Sequence, residues 1–197
     1  MATIINNLLP FRDYDEHEVI NLFALNTTGV AGLLVTPTVA NPDSGDGYSA
    51  TAGVGVATYP NTFSNRYESK WKLGLSASGD TKYNILGLML KDTREVDENG
   101  EKLIFHPDLQ TKLNCVISGQ NVPVLKRGLV TLTSAAYSGV PQIGYVGVPL
   151  GNGKILSIDP ATVTGGANGY SQSQVVGKWM TSTGSHFGGY AMFLLDL

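Results

Sequence analysis

The side chains of this chain that could carry out chemistry are few and lie far apart in the sequence. Cys115 is the only cysteine, and the histidines are His17, His106 and His186. General acid–base and nucleophilic catalysis both require such a group beside a partner that exchanges its proton. No spacing in the sequence provides that pairing, and the nucleophile-elbow pattern Gly-x-Ser-x-Gly does not occur. We therefore expect a protein that is not an enzyme.

Candidate metal and cofactor sites are equally weak. His17 lies in the acidic run DYDEHE (residues 13–18), which could bind a cation but is more typical of the solvated start of a strand. Asp43 and Asp46 do not have the ligand spacing of a calcium-binding EF-hand loop. The glycine-rich run at 165–169 lacks the Gly-Lys-Ser/Thr of a phosphate-binding loop. We expect no metal and no cofactor.

Cys115 is interpreted as a small buried hydrophobic residue, because it lies within the apolar run LNCVI (residues 113–117). A single thiol cannot form an internal disulfide, which favours folding in a reducing cytoplasm. The first residues, MATIINN, have neither the positive region nor the apolar run of a secretory signal. We therefore expect synthesis in a host cytoplasm.

The composition narrows the class of partner. Charged residues are 15% of the chain, against about 25% in ordinary soluble domains. Such a surface is typical of a protein that partners partly cover. The net charge of −3 argues against nucleic acid as a partner, because nucleic-acid binding usually needs a basic stripe. No run approaches the ~20 apolar residues of a membrane helix, so we expect no membrane partner.

Short β-branched and aromatic segments separated by turn residues predict an all-β fold, a β-sandwich or small β-barrel. Residues 16–26 predict a strand buried on both faces, with a helix as the less favoured alternative. Asn99-Gly100 predicts a type I′ hairpin turn, which needs two positive φ values. Further strands are predicted at 33–39, 70–75, 83–91, 113–117, 123–133, 143–148, 154–158, 175–180 and 190–195.

Three regions are predicted along the chain. Residues 1–15 form an extended N-terminal arm, because apolar side chains there surround a proline that favours extended backbone. Residues 16–117 form a β-rich body with a long loop at 40–65. Residues 118–197 form a small barrel-like module, either separate or continuous with 16–117. The apolar side chains of the arm are expected to lie on a partner; they are Ile4, Ile5, Leu8, Leu9, Phe11 and Tyr14.

Aromatic residues suggest an alternative function. Five of them lie fairly close in sequence and could form a platform for sugar rings: Tyr48, Tyr59, Phe63, Tyr67 and Trp71. Such residues more often anchor the core and loops of a β-domain. A glycan-binding or adhesion module is therefore the second hypothesis.

Four segments resemble the head decoration proteins, also called capsid cement or auxiliary proteins, of tailed bacteriophages. They are LPFRDYDEHEVINLFAL at 9–25, the block from GLML to DENGEKL at 87–103, SGQNVPVLKRG at 118–128, and GYAMFLL at 189–195. The resemblance implies a structural protein of the virion that binds the exterior of the assembled capsid and reinforces the shell. It implies the major capsid protein as partner, and self-association as a homotrimer. It carries no catalytic residues.

Overall fold

A computed structural model describes residues 7–25, 28–38, 71–118, 120–163, 169–181 and 190–197, with Pro10, Phe11 and Trp71 described by their backbone alone. This part of the chain is almost entirely β, which confirms the predicted fold class. Its strands are β1 Leu8–Asp13, β2 Val19–Ile20, β3 Phe23–Leu25, β4 Leu34–Pro37, β5 Trp71–Leu75, β6 Gly87–Met89, β7 Asp92–Arg94, β8 Cys115–Ile117, β9 Val124–Leu125, β10 Arg127–Thr133, β11 Tyr137–Ser138, β12 Val146–Gly151, β13 Lys154–Ile158, β14 Gly177–Trp179 and β15 Tyr190–Asp196. The short helix α1 spans Pro107–Lys112, and 3-10 turns span Glu16–Glu18, Leu103–Phe105, Pro160–Thr162 and Gln172–Gln174. No helix in these ranges is long and apolar enough to span a membrane.

The strands form three sheets. The seven-stranded sheet has the order β1-β10-β15-β14-β12-β13-β11 and curls into a half-barrel. The six-stranded sheet has the order β2-β9-β6-β4-β5-β3, and β7 pairs with β8 in a small parallel sheet. Most pairings are antiparallel, but β11 runs parallel to β13 and β3 runs parallel to β5.

The six-stranded sheet is the middle layer, because successive residues of its strands enter different cores. Leu34, Leu88 and Leu125 pack in a core shared with the seven-stranded sheet. Their neighbours Val35, Met89 and Val124 pack in a second core with Val116 of β8. Side chains alternate across a strand, so each of these strands is buried on both faces. The shared core takes residues from both 16–117 and 118–197.

The centre of the shared core is aromatic. Trp179 contacts Tyr137 edge-on, with ring centroids 5.0 Å apart, and Phe193 at a tilt, with centroids 4.8 Å apart. Trp179 and Phe193 are completely buried. The Phe193 ring lies over Gly147 of β12 and Gly177 of β14, where a Cβ atom would collide with it. The glycines of these two strands therefore make room for the ring.

Two predicted strands are interrupted. Residues 16–26 were expected to form one strand, but Asp15 accepts a hydrogen bond from the His17 N–H and starts a 3-10 turn. Strands β2 and β3 follow separately, and Leu22 between them is 52% exposed, so the prediction of a strand buried on both faces is wrong there. Residues 123–133 were expected to form one strand, but β9 and β10 belong to different sheets. The chain crosses between the layers at Lys126.

The predicted arm is extended where the structure describes it, but it does not project from the body. Strand β1 forms the edge of the seven-stranded sheet and pairs antiparallel with β10, with Leu8 opposite Leu132 and Asp13 opposite Leu129. The register shifts between Leu8 and Arg12, around Pro10. A proline has no N–H to donate, and such residues are tolerated at sheet edges and bulges.

The type I′ turn is at a different Asn-Gly pair from the one predicted. Asn152 and Gly153, between β12 and β13, both have positive φ, at 51° and 74°. At the predicted position, Gly100 has positive φ but Asn99 does not, so the hairpin is present without the type I′ turn. The Asn152-Gly153 turn also joins two layers, because the Gly153 carbonyl accepts a hydrogen bond of 2.7 Å from the N–H of Leu34.

Two glycines with similar backbone conformations test the docking of this turn. Both Gly153→Ala and Gly100→Ala place a Cβ at positive φ, which costs about 1–2 kcal/mol. At Gly153 the new Cβ also meets Leu33 Cβ at 2.8 Å and the Leu34 carbonyl at 2.9 Å, whereas at Gly100 nothing lies within 4 Å. We expect Gly153→Ala to lower the free energy of unfolding by at least ~1 kcal/mol more than Gly100→Ala. Equal losses in denaturant titrations would contradict the docking.

The contact of Phe193 with the two glycines predicts a specific coupling. An alanine Cβ at Gly147 would meet only side chains, those of Phe193 and Ile155, whereas at Gly177 it would also meet the Leu194 carbonyl. We expect each alanine variant to lose about 1–3 kcal/mol of stability. Adding Phe193→Leu should relieve much of the loss at Gly147 and little at Gly177. Double-mutant cycles on the free energy of unfolding measure this difference, and equal coupling at both positions would oppose the prediction.

Candidate functional site

The arm residues predicted to contact a partner are only partly described. Leu8 and Tyr14 are half-buried and pack against the shared core of their own chain, and Leu9 is also half-buried. Ile4, Ile5 and the side chain of Phe11 lie outside the described residues. Residues 8 and 14 thus already contribute to the fold, and their role as capsid contacts stays a prediction.

The described histidines lie on the surface and are not brought together into a site. His17 Nδ1 lies 2.9 Å from Asp15 Oδ1, with both side chains mostly exposed. The backbone N–H of His17, followed by its ring, lowers the pKa of Asp15. His106 Nε2 lies 3.5 Å from Glu101 Oε2 in an exposed pair. His186 is outside the described residues, and the described part of the chain contains no group of three potential metal ligands.

The loops singled out in the sequence fall largely outside this description. Asp43, Asp46 and the run at 165–168 lie outside it, as do the aromatics Tyr48, Tyr59, Phe63 and Tyr67 and the side chain of Trp71. The binding of sugars by these aromatic residues therefore stays a hypothesis.

The first surface feature that the structure assembles is a largely apolar outer face on the seven-stranded sheet, formed by Leu129, Met180, Tyr190, Met192 and Leu194, with Thr131 and Thr133 of β10 opposite Met192 and Tyr190. The alternate residues of β15 enter the core, so these β15 side chains point away from it. Leu129 of β10 lies opposite Leu194 of β15. The Met180 N–H donates a hydrogen bond of 2.9 Å to the Met192 carbonyl. Tyr190 is 44% exposed and Met180 45% exposed.

The outer face has a polar border. Arg127 and Asp196 form an exposed ion pair of 3.2 Å at one end, where they also lie opposite each other in the sheet. Lys178 of β14 is exposed and lies opposite Leu194 of β15. Ile143, 75% exposed, lies beside the end of β14, because the N–H of Gly144 donates to the Trp179 carbonyl at 3.0 Å. An apolar centre with a polar rim is the usual anatomy of a protein–protein interface.

The second feature is an open groove of about 590 Å³ at the side of the molecule where edge strands β1 and β2 meet. We call it the cationic groove. Three residues of its lining are apolar, Val19, Leu90 and Pro123, and we call them the floor; the Leu90 N–H donates to the Pro123 carbonyl at 2.9 Å. We call the other lining residues the walls; they are Arg12, Tyr14, Glu16, His17, Asn21, Lys91 and Asn114.

The charge of the groove comes mainly from two half-buried cations, Arg12 and Lys91. Among the described residues neither forms an ion pair with a carboxylate. Glu16 is the carboxylate of the wall, and it is exposed. Asn114 has a φ of 49°, a conformation that asparagine tolerates better than most residues. The groove thus offers unpaired positive charge and amide groups around an apolar floor.

The third feature is an acidic hairpin and turn at residues 95–108, which we call the acidic knob. Its base is ordered, because Leu103 is fully buried and the Val96–Lys102 bridge closes the hairpin. Phe105 is 75% exposed, and Val96 and Ile104 are partly exposed beside it. The Asp97 carboxylate accepts from the N–H groups of Glu101 and Asn99, and the Glu101 hydrogen bond is the main cause of its lowered pKa.

No protein-family model matches this chain, and no curated protein is similar to it. Three surface features of this chain could contact a partner: the outer face, the cationic groove and the acidic knob. The outer face could have been detected from the alternation of Tyr190, Met192 and Leu194 with Ala191, Phe193 and Leu195. The cationic groove had no such signal, because its residues come from distant parts of the sequence.

The structure confirms the burial predicted for Cys115, which is 3% exposed, with its Sγ atom 3.7 Å from the Gln110 carbonyl. Burial raises the pKa of this thiol, opposed in part by the positive charge of Arg94. The thiolate is the reactive form, so a raised pKa and poor access both slow its reactions.

We expect Cys115 of the folded protein to react with an aqueous disulfide reagent at least ~10-fold more slowly than in denaturant at the same neutral pH. Because the folded pKa is raised, the thiolate fraction of the folded protein at neutral pH lies below that of the unfolded chain. The measurement is the release of the coloured thiol with time, with Cys115→Ser as the unreactive control. Equal rates in the folded and unfolded protein would exclude this interpretation.

Proposed function

We propose that this protein is a non-enzymatic structural protein that binds the outer surface of a phage capsid and stabilises the shell. The observation that carries the proposal is the outer face of the seven-stranded sheet. Large exposed apolar patches mark sites of protein association, and on this face Met180 and Tyr190 are exposed beside the half-buried Met192 and Leu194. The resemblance to head decoration proteins supplies the identity of the partner, the major capsid protein.

The chemistry of the outer face suits a lasting protein contact. Tyr190 presents a large rigid ring with a polar end, and tyrosine is enriched among residues that dominate binding energy. Met180 and Met192 are flexible and fill irregular gaps on a partner surface. The Arg127–Asp196 pair and Lys178 supply the polar border that orients the contact.

The body behind this face is suited to bearing load. The sheet that carries the outer face packs its opposite side against the middle sheet, which is itself buried on both sides. Side chains at close-packed density resist deformation. A protein that binds only the intact shell stabilises that state by mass action, and many copies per shell increase the effect.

The test uses shells of the phage that encodes the protein, stripped of it and then incubated with the purified full chain. We expect the double substitution Met180→Ala with Tyr190→Ala to lower the affinity for shells at least ~10-fold, the equivalent of ~1.4 kcal/mol. Both side chains are partly exposed, so the fold should tolerate their loss. The readouts are bound copies per shell and the temperature at which shells release DNA.

Tyr83→Ala is the matched control, because Tyr83 is an aromatic residue that is 79% exposed and lies outside the outer face. It should bind shells as the wild type does. Binding by the double variant at wild-type strength would remove the outer face from the proposal. A wild-type protein that neither occupies shells nor raises their release temperature would contradict the proposed function as a whole, and binding to host glycans instead would favour the adhesion hypothesis.

A further inference from the structure

The charge of this protein is unevenly distributed. Residues 95–108 contain five carboxylates and one lysine, a net charge of −4, whereas the whole chain carries −3. Most of these carboxylates are exposed, including Glu98 and Glu101, and Phe105 in the same segment is 75% exposed. The acidic knob therefore combines an exposed aromatic residue with concentrated negative charge.

The cationic groove has complementary groups. Val19, Leu90 and Pro123 of its lining are apolar, and its cations Arg12 and Lys91 form no ion pair within the described residues. Its volume of about 590 Å³ lies within the range of sites that enclose most of a small ligand, so it can hold one aromatic side chain with neighbouring groups. The same chain thus carries an exposed aromatic side chain in an acidic segment and a groove with two half-buried cations.

We propose that the acidic knob of one copy of this protein docks in the cationic groove of a second copy. Phe105 is placed on the apolar floor, and Glu98 and Glu101 face Arg12 and Lys91. The occupant is a second copy because one segment of the same chain supplies an exposed aromatic ring together with several carboxylates, whereas the groove itself has one carboxylate, the exposed Glu16, beside the half-buried Arg12 and Lys91. The inference does not depend on shell binding, since the contact is made between copies in solution.

Other anionic occupants suit the groove less well. A free phosphate or carboxylate would leave the apolar floor exposed to water. Nucleic acid requires a longer basic surface than two cations in a chain of net charge −3. The knob provides burial for the floor and charge for the walls in one element.

The contact joins two different surfaces that each copy carries. Around a two-fold axis each knob fills the groove of the partner, which gives a closed dimer. With any other rotation a pair keeps one free groove and one free knob, and further copies add until a ring closes or an open chain forms. The average mass in solution should consequently rise with protein concentration and fall at high salt, which screens the charges.

The first experiment measures self-association of the full chain by sedimentation and light scattering. Phe105→Ala should weaken it about 30-fold or more, the amount expected when an interface loses a dominant aromatic residue. The matched control Tyr83→Ala, with a similarly exposed ring outside the knob, should associate as the wild type does. Equal association by the wild type and Phe105→Ala would overturn the proposal.

The second experiment reverses the charges on each side in turn. Arg12→Glu with Lys91→Glu makes the groove anionic, and Glu98→Lys with Glu101→Lys makes the knob cationic. Each variant alone should be monomeric, because both of its surfaces then have the same sign. An equimolar mixture should associate again, since each groove meets a knob of opposite charge. Lys154→Glu, a reversal at an exposed lysine of β13, should leave self-association unchanged.

Circular dichroism and thermal melting establish that each variant is folded before the comparison. If the paired glutamates unfold the groove variant, Lys91→Gln alone should weaken self-association several-fold while retaining the fold. A wild-type protein that stays monomeric up to about 1 mM, the lower limit of useful affinity, overturns the proposal. The proposal is also overturned if the two charge-reversal variants are folded but their mixture stays monomeric. A monomeric wild type that binds a poly-glutamate peptide in the groove overturns it as well.

Discussion

The burial of both faces of the six-stranded sheet is the constraint on which the rest of this structure depends. Neighbouring residues such as Leu34 and Val35, or Val124 and Leu125, serve different cores. A shift of one residue in the pairing of β4 or β9 would turn the side chains of one core toward the other core. Both cores therefore fix the register of these strands. The seven-stranded sheet is held in place against one of these faces, and the β7–β8 pair with its acidic knob lies at the other.

The architecture limits where a binding surface can form. Strands β4, β6 and β9 of the middle sheet are buried on both faces, so sheet-mediated contacts are left mainly to the outer face of the seven-stranded sheet. The groove arises where the edges of two layers meet, at β1 and β2, and there the layers do not cover each other. Both features thus follow from the stacking of the sheets, and neither needs a dedicated domain.

The fold class and many strands could be predicted from the sequence because alternation and short apolar runs are local signals. The β13 strand matches its expected segment, β15 extends one residue beyond its expected segment, and Cys115 is buried as expected. The break at Lys126 could not be predicted, because residues 123–133 are locally compatible with one long strand. The two strands differ in their pairing partners: Leu125 of β9 pairs with Leu88 of β6, whereas Gly128 of β10 pairs with Leu195 of β15. Only the tertiary structure determines these partners. The same reason hides the groove, whose residues Arg12, Lys91 and Asn114 meet only after folding.

The position of β15 has a consequence for the synthesis of the protein. This strand lies inside the seven-stranded sheet, between β10 and β14, although it comes last in the described chain. While the ribosome still holds residues 190–196, β10 and β14 have no strand to join them, and Trp179 lacks the Phe193 ring against which it packs. We therefore expect the nascent chain to leave part of the Trp179 ring and the edges of β10 and β14 uncovered until β15 has emerged, which raises its risk of aggregation during synthesis.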